Sequence, residues 1–218
     1  SAASDVYKRQ QGTLFGQNST GGAVNVISKA PSTDGGSGKL NVTFGDYDLK
    51  KVTTSNNFVI NDKIATRLSL ASTTRDGFSK NVVTGQDLDD ANSKGFRSDW
   101  MFDLNDTSSL RVFGQYFKVD RNGAAIRGID DQTPGMRNLS QDTVSQHELS
   151  SMVIAAIYES DLGFANLKAI ASIQEDDILV VRDNDRHNYL DPVLAIEGLP
   201  AGSTYQRAEF TPETSLVD

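Results

Sequence analysis

The sequence predicts an all-β fold: a partial antiparallel transmembrane β-barrel, about seven strands of a larger one. Three observations carry this. From residue 38 onward apolar and polar residues alternate with period two, the repeat of a strand with one apolar and one polar face. Connections alternate between tight joints and long polar segments, as in barrels with short turns at one end and long loops at the other. No run of 18 apolar residues occurs, which excludes a transmembrane helix and leaves soluble proteins and β-barrels.

Strands are expected at about 38–45, 51–60, 63–74, 95–105, 108–121, 150–160 and 164–182. In the first, Leu40, Val42 and Phe44 oppose Asn41 and Thr43. In the third, Leu68 and Leu70, with Ile64 before them, oppose Arg67, Ser69 and Ala71. In the fourth, Phe96, Trp100, Phe102 and Leu104 oppose Arg97, Asp99 and Asp103; in the fifth, Leu110, Val112 and Tyr116 oppose Arg111 and Gln115. Tight joints fall at Asn61-Asp62, Asn105-Asp106-Thr107 and Ser160-Asp161-Leu162-Gly163, which are turn-forming residues. Long segments run over 75–94, 122–149 and from 183 to the end.

A soluble β-sandwich would also alternate, but it buries its apolar face and seldom sorts loop lengths by end. In the barrel, Arg67, Arg97, Asp99, Asp103 and Arg111 face a polar interior, while Phe44, Trp100, Phe102 and Tyr116 meet lipid or form interfacial girdles. In the sandwich the charged set faces solvent.

Composition narrows the function classes. With 29 acidic and 21 basic residues the net charge is −8, which disfavours a nucleic-acid partner. There is no cysteine, hence no disulfide or thiolate site. His147 and His187 stand too far from matched partners to argue a metal site, and no cofactor is expected. There is no Gly-x-Ser-x-Gly elbow, so an enzyme is not expected, although Glu175, Asp176 and Asp177 keep hydrolase carboxylates open.

Residues 1–10, "SAASDVYKRQ", resemble a translated transposase sequencing adapter at all ten positions. They are set aside from fold reasoning, and the native chain is expected to begin further upstream.

The stretch "QGTLFGQNSTGGAVNVISKAP" (11–31) is no P-loop, because Gly22 and Ala23 stand where Lys and Ser are needed. Its Asn18 sequon, like those at Asn41, Asn105 and Asn138, reads as a chance match. What 11–31 does resemble is the end of the plug domain of TonB-dependent outer-membrane receptors. Gln11, Gly12, Thr13, Leu14, Phe15, Gly16, Asn18, Gly21, Gly22, Val24, Asn25, Val26, Ser28, Lys29 and Pro31 stand where that family's pattern has them. The resemblance implies a division into the adapter-like 1–10, the end of a plug at 11–31, a linker at 32–38, and the first part of a barrel at 39–218. Gly12, Gly16, Asn18, Gly21, Gly22 and Asn25 would then be structural plug residues, the glycines allowing close backbone approach.

The resemblance further implies an outer-membrane location, lipid around the barrel, and TonB as partner through a segment upstream. It also implies active uptake of a scarce nutrient, most often a ferric siderophore. Two loop clusters could offer donors to an anionic chelate: Arg121 and Arg127, and Arg186 with His187 and Tyr189. The alternative is a soluble or cell-surface β-domain that binds carbohydrate. A seven-strand sheet has two open edges, so residues 11–218 alone are not expected to fold stably.

Overall fold

The computed structural model describes residues 28–129, 131–183 and 186 in full, and the backbone of the strands at 3–7, 23–27, 203–210 and 215–216. No helix occurs among the described residues. Two strands, β1 (Ala3–Tyr7) and β2 (Ala23–Ile27), pair antiparallel. The first of them lies within the stretch set aside from fold reasoning.

The main sheet is built from seven long strands: β3 (Ser37–Gly45), β4 (Leu49–Asn61), β5 (Ile64–Arg75), β8 (Ala91–Asn105), β9 (Ser108–Arg121), β11 (Gln146–Asp161) and β12 (Asn166–Asp183). Each pairs antiparallel with the next in this order, and β13 (Ser203–Phe210) and β14 (Ser215–Leu216) add to the outer side of β12. Three short strands, β6 (Ser79–Asn81), β7 (Asp87–Leu88) and β10 (Asn138–Leu139), form a separate small sheet in the long connections.

Strands β8 and β11 each begin four residues earlier than the alternation suggests. Ladder pairing continues where both faces have become polar, so hydrophobic alternation marks only part of each strand. At 15 to 18 residues, β8, β11 and β12 exceed the roughly 9–11 residues a tilted strand needs to cross a bilayer.

All three tight turns use one device. Asn61 Oδ1 accepts the Lys63 amide at 2.9 Å, Asn105 Oδ1 the Thr107 amide at 3.0 Å, and Asp161 Oδ1 the Gly163 amide at 2.8 Å. Each is an Asx side chain satisfying the backbone two residues on. The β3–β4 hairpin lies at the opposite end and places Tyr47 and Asp48 at φ of 58° and 53°, the two positive angles of a type I′ turn.

Register separates two faces. Leu40, Thr54, Leu70, Phe96, Tyr116 and Met152 stand opposite one another across six strands. On this face large apolar side chains are open, Phe44 at 75% and Leu40 at 66% exposure. Trp100 stacks on Phe102 at 6.3 Å and donates its indole N–H to Ser98 Oγ at 2.9 Å. The opposite face is polar over β3 to β9: Asn41 bonds Thr53, Ser69 bonds Ser55, and Arg97 bonds Gln115. This face holds the buried Asn57, Ala65, Asp99 and Ala155, while Thr66, Ser160 and Asp183 are buried on the other.

The long connections 76–90 and 122–145 fold onto each other as a cap. Leu88 and Leu139 are its apolar core, both fully buried. Asn81 joins the two connections: its Nδ2 donates to Gln141 O at 2.9 Å, and its Oδ1 accepts the Val83 and Gln141 amides at 3.1 and 3.2 Å. Gln86 makes a second join, donating to Ser145 O at 2.7 Å and accepting the Ser145 amide at 2.9 Å. Gly77 is required by close approach, since a Cβ there would stand 2.6 Å from Leu88 O.

Candidate functional site

The most organised polar constellation lies on the polar face of β4, β5, β8 and β9. Asn57 is opposite Arg67 and Arg67 is opposite Asp99, so three strands bring one residue each into a single row. Arg111 of β9 stands diagonally across from Asp99, whose direct partner is Phe113.

Asp99, 1% exposed, is the hub. Arg111 grips it with two donors, Nε to Oδ1 at 2.8 Å and Nη2 to Oδ2 at 2.6 Å. Arg97 adds Nη2 to Oδ2 at 3.1 Å, and its guanidinium lies 3.7 Å from the centroid of the Phe113 ring. Thr66 donates to the Asp99 backbone carbonyl at 3.0 Å. A buried carboxylate needs this compensation, and a two-donor guanidinium fork is its strongest single partner.

The row has three guanidiniums and one carboxylate, and its spare donors point to residues 28–35. Arg111 Nη2 reaches Ser28 O at 3.4 Å and Ser28 Oγ at 3.3 Å, and Arg67 Nε reaches Ala30 O at 3.3 Å. Asn57 Nδ2 donates to Ser32 O at 2.8 Å and Gly35 O at 2.9 Å, while its Oδ1 accepts the Ser32 amide at 3.0 Å and Arg67 Nη2 at 3.2 Å. Pro31, between the gripped residues, is buried. The arrangement is a clamp on peptide backbone. Surplus positive charge on the wall is met by carbonyl dipoles of the segment, and no acid–base or nucleophilic chemistry is set up.

The sequence-derived candidates fall elsewhere. Arg121 Nη2 lies 3.4 Å from His147 Nδ1 at the long-loop end, and burial together with the Arg121 charge lowers the His147 pKa. Arg127 is committed to its own loop, donating to the carbonyls of Asp131, Thr133 and Gly135 at 2.7, 2.6 and 3.2 Å. Arg186 sits at φ 64°, its amide donated to Asp183 Oδ1 at 2.7 Å. His187, Tyr189, Gly12, Gly16, Asn18, Gly21 and Gly22 lie outside the described residues, and Asn25 is described only as β2 backbone. The structure thus brings Arg121 to His147.

The sequence placed Arg67, Arg97, Asp99 and Arg111 on one face but did not single them out, and it missed Asn57. The available signal was four charged residues of equal parity on three consecutive strands.

No protein-family model matches the chain. Solved structures similar in fold include two receptors, one of them in two forms. The siderophore receptor PiuA from Acinetobacter baumannii matches with a TM-score of 0.69 at 17% identity, over 83% of this chain and 27% of that one. The ferric-catecholate import receptor Fiu from E. coli K12 matches in its open form with a TM-score of 0.63 at 17% identity, over 85% of this chain and 30% of that one. Its closed form matches with a TM-score of 0.63 at 18% identity, over 93% and 30%. The chain thus spans less than a third of each receptor. At this identity the likeness establishes the fold: an all-β antiparallel sheet that matches part of a receptor β-barrel.

Proposed function

We propose that this chain is part of a TonB-dependent outer-membrane receptor for active uptake of a scarce nutrient, a ferric siderophore, and that it is not an enzyme. On this reading 11–31 is the end of the plug, 32–38 the linker and 39–218 the first part of the barrel. Lipid surrounds the apolar face, and TonB acts on a segment upstream. The observation that carries the reading is the clamp. A barrel wall whose charged interior grips a segment continuous with the plug-like stretch suits a plugged receptor, whereas an open pore needs no such fastening. The names of the fold neighbours, a siderophore receptor and a ferric-catecholate import receptor, support the substrate class. The open apolar face argues against the carbohydrate-binding surface domain, in which Phe44 and Leu40 would be covered.

Uptake of radioactive iron tests this. Cells carrying the full-length gene in a receptor-deficient background should accumulate iron from a ferric siderophore, and an uncoupler or loss of TonB should abolish it. Uptake that persists without the proton gradient, or none from catecholate and hydroxamate complexes alike, would overturn the proposal.

A further inference from the structure

We infer that residues 28–35 are a length-reading anchor that stays fixed to the sheet. The inference rests on the receptor reading for the conditions of its test, but on the clamp alone for what stays. Every wall donor that reaches the segment touches main chain at 28, 30, 32 or 35; Ser28 Oγ is the one side-chain atom of the segment hydrogen-bonded to the wall among the described residues. The carbonyls of 28, 30 and 32 recur with period two, the spacing at which an extended chain presents groups to one side. Asp34 then closes a local turn, its carboxylate accepting Ser32 Oγ at 2.6 Å. The donors come from three strands, Arg111 held by Asp99 and Arg67 by Asn57, so the clamp reads how far apart the carbonyls are, not which side chains lie between them. Two residues past Gly35 the chain enters β3, leaving almost no slack.

The test uses the full-length protein in cells, with a cysteine at Ala30 (A30C) or, upstream, at Ala23 (A23C), and the rate of labelling by a membrane-impermeant maleimide. Combined replacement of Ser28, Ser32 and Asp34 by alanine should leave A30C labelling within about twofold of the parent. Insertion of one glycine between Pro31 and Ser32 should raise it at least tenfold, and so should Asn57→Ala, which guards against an insertion that fails to fold. If the triple alanine variant releases A30C as fully as the insertion does, side chains and not spacing hold the segment, and the inference falls. During energised uptake of a ferric tris-catecholate, A23C labelling should rise while A30C stays slow. Both rising together would refute the fixed end while leaving the receptor reading intact. Absence of any uptake would refute the receptor reading, and the anchor would then be judged by the insertion alone.

Discussion

The barrel wall and the loop cap both depend on buried polar groups, but they use them for different ends. In the wall, Arg111, Arg67 and Asn57 direct hydrogen bonds outward, to a segment that is not part of the sheet, while Asp99 holds Arg111. In the cap, Asn81, Gln86 and Asp89 direct theirs inward, to the loops' own backbone, around Leu88 and Leu139. Buried polar density is therefore no mark of function by itself; the destination of the hydrogen bonds is. The wall is charged and grips something else, while the cap is a self-contained scaffold.

Breaking the wall should have the largest effect. Asp99→Ala leaves Arg97 and Arg111, 18% and 14% exposed in their side chains, without their carboxylate. Removing one partner of a buried ion pair costs about 3–5 kcal/mol. The full-length protein should therefore lose most of its heat-modifiable, folded population on unboiled gels, and an unchanged population would show that the hub is dispensable. A charge on the other face of the same wall should come next. Phe96→Arg puts a cation on the open apolar face, which on the receptor reading costs about 2–4 kcal/mol near mid-membrane, read as a lower urea midpoint in bilayers. Lys94→Arg, two residues along, should be neutral.

Breaking the cap should be local and smaller. Asn81→Ala strands the Gln141 amide and carbonyl, at about 1–3 kcal/mol. The connections 76–90 and 122–145 should become protease-sensitive together while the barrel stays intact; cleavage of one alone would show that they are not a unit. The smallest effect concerns pH. Burial pushes the Asp131 carboxyl up, but hydrogen bonds from Thr133 side chain and amide and from the Ser140 amide, with the Arg127 charge, outweigh it and hold the pKa below its ordinary value. A depressed carboxylate contributes stability that is full above its unfolded pKa and lost as pH falls through the folded one. Resistance of this loop to cleavage should thus be flat from neutral pH to about 5 and fall only in stronger acid, with pepsin as probe, and Asp131→Asn should remove the acid limb.

The seven long strands were legible because the two faces of the sheet make opposite demands on alternate residues, as Leu68 and Leu70 against Arg67 and Ser69 show. Their far ends were not, because past residues such as Lys94 and Ser150 both faces become polar while pairing continues. The cap was illegible for a different reason. Asn81 and Gln141 are 60 positions apart, and strands of two or three residues carry no periodicity. The clamp was half legible. Parity put Arg67, Asp99 and Arg111 on one face, but Asn57 joins them only through the register set by the 62–63 turn.

On the receptor reading, this sheet separates lipid from a polar interior that holds residues 28–35. Spin labels placed singly along β5 and β8 of the full-length protein in bilayers, read by collision with oxygen and with a water-soluble nickel chelate, test it most directly. The account predicts period-two oscillation, with oxygen contact high at Leu68, Leu70 and Phe96 and low at Ser69 and Ala71. Uniform nickel access on both faces, or an oscillation of the opposite phase, would contradict it.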